Sequence, residues 1–353
     1  MQENKLKILI IGSGGREHAI GWKVAQSPRA GDISATDISK LLDFVKREHI
    51  DLTLALPDDP LALGIVNEFQ KEGLKIWGPT KEASKLEWSK AFSKSFMQKY
   101  NLPTAEFEIF TNFEKAKSYL MRQKYPIVIK ASGLALGKGV IIAQSEIEAL
   151  EILDNIMVKK SLGDAGDEVV IEEFLQGTEI SIHAFTDGTS YFIFPASQDH
   201  KRVGEGDTGP NTGGMGTIAP LPFVNFDLVE NIKDNIVSPT IILMQENDTP
   251  FLGVLYPGLM LTPNGPKILE YNARFGDPET QTYMHLLDTD LLDIFDACIG
   301  GTLKNLEIKW KNISACTIIL ASGGYPGNYE KGKEIFGVEE AGNNPDIVVF
   351  HAG

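Results

Sequence analysis

The stretch LKILIIGSGGREHAIGWKVAQ, residues 6–26, sets the fold class. Leu6–Ile11 is a continuous apolar run ending at Gly12, the profile of a parallel strand buried on both faces. Glu17–Gln26 then reads as a helix that stops before Pro28. Outward from there the alternation continues. Ile38–His49 carries Leu41, Leu42, Phe44 and Val45 at helical spacing behind Asp37 as N-cap. Ile50–Leu56 is a strand, Leu61–Lys71 a helix, and Leu74–Trp77 a short strand closed by Gly78-Pro79. This order predicts a doubly wound parallel sheet over residues 1–88. One element is missing from the pattern. PRAGDISATD, residues 28–37, has no apolar run long enough for a strand, so the sheet is expected to lack its second strand.

The next region changes character. Lys90–Tyr100 is a helix, and Pro126–Lys130 and Val140–Ala143 are strands separated by SGLALGKG. Val169–Phe174, Glu179–Thr186 and Tyr191–Pro195 follow too closely for crossovers and suggest an antiparallel meander. Ser197–Pro222 is a loop rich in Gly, Asp, Asn and Thr, and a loop this long inside a compact domain is usually functional. A helix (Asp227–Gln245) and two strands (Phe251–Leu261, Lys267–Arg274) complete residues 89–300. Residues 301–353 open with a strand at Ala315–Ala321 and are expected to form a short, β-rich third domain that looks truncated.

Composition narrows the function. Of 353 residues, 42% are hydrophobic and 23% charged, so the chain is globular. Its 33 basic and 48 acidic residues give −15, which disfavours a nucleic-acid partner. No run of ~18 apolar residues spans a membrane. The opening MQENKLKILIIG reads as a first strand rather than a signal peptide. Two cysteines, Cys298 and Cys316, make no disulfide framework, and a cytoplasmic protein is expected.

Five segments carry chemistry. GSGGREH, Gly12–His18, joins a strand to a helix, where glycines let backbone N–H groups approach an anion. It is not a dinucleotide fingerprint, because the third glycine of G-x-G-x-x-G falls at Glu17 and a second acidic strand is absent. Lys130 and SGLALGKG, Ser132–Gly139, offer two lysines, Lys130 and Lys138, among glycines that can fold over a polyphosphate. It is not a Walker loop, since Gly139 follows the lysine; a hairpin with solvated lysines is the plainer reading. In VVIEEFLQGTEISI, Val169–Ile182, the adjacent Glu172 and Glu173 must point to opposite faces, so one at most meets a ligand and the other is salt-bridged. In ILEYNARFGDPE, Ile268–Glu279, Glu270, Asn272 and Arg274 share one face of a strand. A carboxylate and an amide oxygen suit Mg²⁺, and an arginine beside them suits phosphate or carboxylate. Finally, SQDHKRVGEGDTGPNTGGMG, Ser197–Gly216, gathers Asp199, Lys201 and Arg202 as a clasp for an anionic substrate, with His200 a solvated bystander.

Together these segments resemble the phosphoribosylamine–glycine ligase family of the ATP-grasp superfamily. The resemblance rests on GSGGREHA, IWGPT, SKAFSKSFM, NLPTAEF, YPIVIKASGLALGKGV, VVIEEFLQGTEIS, SQDHKRVGEGDTGPNTGGMG, GVLYPGLML, ILEYNARFGDPETQ and ASGGYPGNY. It implies a central ATP-grasp domain of two α+β subdomains, and a reaction in which ATP phosphorylates glycine and 5-phosphoribosylamine attacks the acyl phosphate. It implies Glu270 and Asn272 as ligands of Mg²⁺ or Mn²⁺, and Lys90, Lys130 and Lys138 at the ATP phosphates. Glu172, Glu173 and Leu175 would meet adenine and Glu179 the ribose. Asp199, Lys201, Arg202 and Arg274 would surround the reacting groups, with Gly14, Gly15, Asn211, Thr212, Gly213 and Gly214 on the substrates. The partners implied are small molecules only, on a monomer or weak homodimer. Two departures stand out: the missing second strand with its loop, and LPDDPL, Leu56–Leu61, where the family has GPE-x-PL. They leave as an alternative an ATP-binding relative with impaired or no ligase activity; an oxidoreductase lies far behind.

Overall fold

The computed structural model describes residues 5–36, 41–135 and 139–352. Its first third alternates strands and helices: β1 (Leu6–Ile11), α1 (Gly15–Val24), β2 (Ala30–Thr36), α2 (Leu41–Glu48), β3 (Leu52–Ala55), α3 (Asp58–Leu63), α4 (Ile65–Lys71), β4 (Ile76–Trp77) and α5 (Lys81–Trp88). The strands form one parallel sheet in the order β2-β1-β3-β4. In β1 the side chains alternate between two cores. Leu9 and Ile11 pack with Val45, Val66 and Phe69, while Ile8 and Ile10 pack with Ile20, Leu54 and Trp77. Each such residue fully removed from water contributes about 1.5–3 kcal/mol, which is why the central strand reads as unbroken apolar sequence.

The missing strand is present. Residues 30–36 pair in parallel with β1, aligning Ile8 with Ile33 and Ile11 with Thr36. An edge strand is held by backbone hydrogen bonds to one neighbour and needs no continuous apolar run, so AGDISAT escapes a search for hydrophobicity. The Asp37 cap lies outside the described residues.

The second region begins with α6 (Lys90–Lys99), β5 (Phe107–Phe110), α7 (Phe113–Leu120), β6 (Ile127–Ala131), β7 (Val140–Ala143), α8 (Glu146–Met157) and β8 (Val169–Glu173). Its strands make an antiparallel sheet ordered β5-β8-β6-β7, and α7 and α8 close a core against it through Ala116, Leu120, Leu153 and Ile156. A second sheet takes β9 (Thr178–Ser181), β10 (Ala184–Asp187) and β11 (Tyr191–Ile193). The expected meander is therefore split: β8 belongs to the first sheet, and β9 and β10 both pair with one long strand of the second.

The loop region holds β12 (Gln198–Asp199), β13 (Arg202–Gly204), β14 (Thr208–Asn211) and β15 (Gly216–Ala219). After α9 (Phe226–Ile232) and α10 (Ser238–Glu246) comes the hairpin β16 (Leu252–Thr262) and β17 (Gly265–Asn272), then α11 (Glu279–Leu286), α12 (Leu291–Ile299), β18 (Ala315–Ile318) and α13 (Val338–Gly342). Strand β16 is the long one that joins β9 and β10 to β17. Residues 301–353 do not build a β-rich unit of their own: among the described residues they contribute one strand, β18, which completes a sheet with β12 and β15. Helices α11 and α12 bury Met284, Leu292 and Phe295 in the same core as Ile8, Ile10 and Trp77, so the two halves share a core. Among the described residues no helix is long and apolar enough to cross a membrane. Cys298 is buried and Cys316 exposed, both unbridged.

Candidate functional site

Strand β17 carries the centre of the site. Its register against β16 slips between Gly258–Glu270 and Leu259–Ile268, a bulge that leaves Leu269 as the extra residue. The slip changes the phase of the strand. Ile268 lies in the core before it, and Tyr271 and Ala273 lie in the same core after it. Glu270 and Asn272 consequently face away from that core. They fall on one face as the spacing requires, and Arg274 follows just past the strand end.

Glu270 is ringed by cations. Burial opposes its ionisation, but Lys201, Lys90, Lys130 and Arg274 together hold the carboxyl below the usual range. Arg274 donates from Nη2 to Asn272 Oδ1 at 3.3 Å and pairs with Glu87 Oε1 at 3.0 Å. Burial pushes the Glu87 carboxyl up, and Arg274 and the Ala273 N–H (2.8 Å) oppose it. A guanidinium stays charged under all ordinary conditions, and Glu87 raises Arg274 still further despite its own burial. A carboxylate kept ionised next to an amide oxygen fits a hard divalent cation that takes most of its ligands from phosphate and water.

The lysine-bearing strands lie alongside. Lys130 on β6 is buried; it donates to Leu269 O at 3.0 Å, the carbonyl at the bulge, and pairs with Glu172 on β8. Glu172 also takes Lys94 of α6 at 2.5 Å. Glu173 faces the opposite side, where it meets Lys267 Nζ at 2.9 Å and the Glu106 N–H at 3.0 Å. The alternation is as expected, and each carboxylate meets a lysine from a neighbouring element on its own side of β8. Leu175 just beyond β8 is buried. Glu179 on β9 pairs with Lys201. Lys90 opens α6, which is tied to the glycine loop by Lys90 N–H to Ser132 O at 2.8 Å. Lys138 lies outside the described residues.

The long loop divides into a part at the centre and a part away from it. Asp199 has one carboxylate oxygen, Oδ1, buried without a hydrogen-bond partner. Burial and the neighbouring Glu279 push this carboxyl up to about 8, against the pull of Lys201. Lys201 is raised by Glu179 and Glu270, which outweigh its burial. Thr212 folds back on Lys201 O through its N–H (2.7 Å) and Oγ1 (2.8 Å), and the Gly213 N–H meets the Tyr325 hydroxyl at 3.2 Å. Gly214 is a glycine by necessity: its φ is +125°, and a Cβ there would stand 2.4 Å from Pro278 Cδ and 2.8 Å from Asp199 Oδ1. Arg202 and Asn211 are instead paired across the β13–β14 hairpin, where Arg202 Nη1 donates to Gly209 O at 2.9 Å. His200 is exposed, as expected.

Gly14 and Gly15 stand at the start of α1, against the loop that begins α11. A Cβ on Gly15 would lie 2.8 Å from Gln281 Nε2, itself bonded to Asp277 Oδ1 at 2.7 Å. The Gly14 N–H is already taken by Glu17 Oε2 at 2.8 Å, so it is not an open anion donor. Four further groups escaped the sequence reading: Glu87, Lys94, Glu279 and Tyr256. Glu279 is buried and accepts from Tyr256 OH at 2.6 Å and Ser181 Oγ at 3.1 Å. Their partners lie up to 187 residues away, as Arg274 does from Glu87, and no local spacing marks them.

Comparison with known proteins accords with this geometry. The family model described as the ATP-grasp (A) domain of phosphoribosylglycinamide synthetase matches residues 88–280. The model of that synthetase's N domain matches residues 6–35 and 28–87 as two overlapping pieces. A phosphoribosylamine–glycine ligase of Caldanaerobacter subterraneus is 46% identical over 366 residues, which cover 99% of this chain and 87% of the relative. That of Pasteurella multocida is 46% identical over 369 residues, covering 99% and 86%. The crystal structure of the Thermotoga maritima ligase superposes with a TM-score of 0.81 at 34% identity, covering 93% of this chain and 84% of that one.

Proposed function

This chain belongs to the phosphoribosylglycinamide synthetase family, and from that premise we propose that it is an ATP-dependent ligase that joins glycine to 5-phosphoribosylamine in purine biosynthesis. A glycine carboxylate oxygen attacks the γ-phosphorus of ATP and ADP departs. The amine nitrogen of phosphoribosylamine then attacks the acyl carbon of glycyl phosphate, loses a proton, and expels phosphate. Both steps develop negative charge on oxygen, so the work is neutralisation and positioning, with no covalent enzyme intermediate.

The observation that carries the reading is the gathering of cations beside β17, with Lys130 on the Leu269 carbonyl and Arg274 on Asn272, whose charges act with those of Lys201 and Lys90 on Glu270. Glu270 and Asn272 would hold Mg²⁺ or Mn²⁺, which when bound would supply positive charge to the phosphates. Lys130 and Lys90 would neutralise the triphosphate, and Arg274, oriented by Glu87, the transferred phosphoryl group. Asp199, with one buried oxygen free, suits an amine on the glycine or sugar side. The backbone of residues 172–175 suits adenine, since the Glu172 side chain is engaged elsewhere. Residues 1–88 would face the sugar phosphate and 89–300 the nucleotide. The reading of an impaired relative drew on an absent second strand with its loop and on LPDDPL; β2 removes the first of these, the strand.

ADP release measured with glycine and freshly made phosphoribosylamine, each present or withheld, tests this. Release should need both; a rate indifferent to either would refute it. Mg·ATP should also raise the melting temperature, since a ligand bound only by the native state stabilises it, whereas NADH should not.

A further inference from the structure

Lys94 is 2% exposed, and none of the roles above uses it. Its Nζ donates to Thr104 Oγ1 at 2.7 Å and pairs with Glu172 Oε2 at 2.5 Å, while Lys130 takes the other oxygen of the same carboxylate. Among these three groups, two ammonium ions and one carboxylate give 2 − 1 = +1, beside Glu270, the carboxylate assigned to the metal, whose charge acts on both lysines. Thr104 Oγ1 passes the contact on to Ile268 O at 2.7 Å, and Lys130 holds the next carbonyl, Leu269 O, at 3.0 Å. The cluster is thus fastened to β17 immediately before Glu270.

A lone Lys130–Glu172 pair would satisfy both partners and leave no net charge for a phosphate. The second lysine is expensive: burial lowers its pKa to about 8, against the pull of Glu172. Buried charge beyond what pairing satisfies is retained only where something later meets it. We propose that Lys94 is a positioning residue for the nucleotide: by sharing the Glu172 carboxylate with Lys130, it keeps one net positive charge in the cluster and aims the Lys130 ammonium at the triphosphate. The inference rests on the reading of Lys130 as a phosphate-gripping group.

Calorimetric titration with Mg·ATP and steady-state kinetics of the full chain test it. Lys94→Met should weaken Mg·ATP roughly tenfold, the effect of one charge acting through protein of effective dielectric ~20, with the KM for glycine unchanged. Lys94→Arg should keep most of the affinity. The deciding variant is Lys94→Met with Glu172→Gln, which returns the cluster to +1 through Lys130 alone. It should bind Mg·ATP more tightly than Lys94→Met, within about threefold of the parent, although it removes a further native contact. A double variant as weak as the single one, or weaker, would overturn the proposal by showing that Lys94 acts through packing. If Lys94→Met does not fold, the double variant measured against the parent decides alone, and a loss of about tenfold or more overturns it. A parent that binds no Mg·ATP would instead defeat the nucleotide reading itself.

Discussion

Replacing Glu270 by Gln keeps the shape of the side chain and removes one negative charge from the middle of four cations. Lys201, Lys90, Lys130 and Arg274 hold this carboxyl below its usual range, so at neutral pH the parent offers a metal a full charge. Losing one preorganised electrostatic stabiliser costs about 2–4 kcal/mol in the transition state. At 1.36 kcal/mol per tenfold this is about 30- to 1,000-fold in kcat/KM. ADP release followed across a Mg²⁺ titration should show the largest deficit at limiting Mg²⁺ and partial recovery at saturation, because the defect lies in metal binding. A second effect needs no ligand. A carboxyl with a depressed native pKa contributes stability above its unfolded pKa and loses it as pH falls through the native one. Glu270→Gln should therefore melt lower than the parent in metal-free buffer at pH 7, with the gap closing in acid. Turnover equal to the parent's at limiting Mg²⁺ would refute the assignment, whatever the melting temperature does.

Asp199 makes the opposite pH prediction. Its carboxyl is pushed up to about 8 in the ligand-free protein, so the native state binds more protons than the unfolded state between the two pKa values. Stability should fall as pH rises from about 4 to 8, and Asp199→Asn should remove that part of the slope in denaturant titrations; a parent-minus-variant difference constant across the window would contradict it. Glu87→Gln keeps an acceptor for the Ala273 N–H but strips Arg274 of its counter-charge. Breaking a buried pair from one side costs about 3–5 kcal/mol, and the lower end is expected because the Arg274 side chain retains 19% exposure. Urea unfolding should show that loss together with a fall in kcat, whereas Glu87→Asp should recover part of each.

Much of the site was legible because its signals are short-range. Glu270 and Asn272 lie two residues apart on β17, where the period of a strand puts them on one face, and Arg274 follows just past the strand end. The glycines of the 197–216 loop, the lysine at the end of β6 and the opposed Glu172 and Glu173 were readable for the same reason. The second strand was not. Its signature is pairing with β1, and an edge strand spelled AGDISAT carries almost none of that in its composition. Arg202 and Asn211 looked like the rest of their loop, yet hairpin pairing turned them toward each other.

Sequence by itself determined the parallel sheet and its central strand, the metal-suited face of β17 and the family, because periodicity and local motifs survive without knowledge of the chain's path. Only the tertiary structure decided which charges meet. Glu87 reaches Arg274 across 187 positions, Lys94 and Lys130 share Glu172 from different elements, and the bulge at Leu269 offers its carbonyl to Lys130. Electrostatic energy depends on distance in space and on removal from water, and neither quantity is written in the order of the residues.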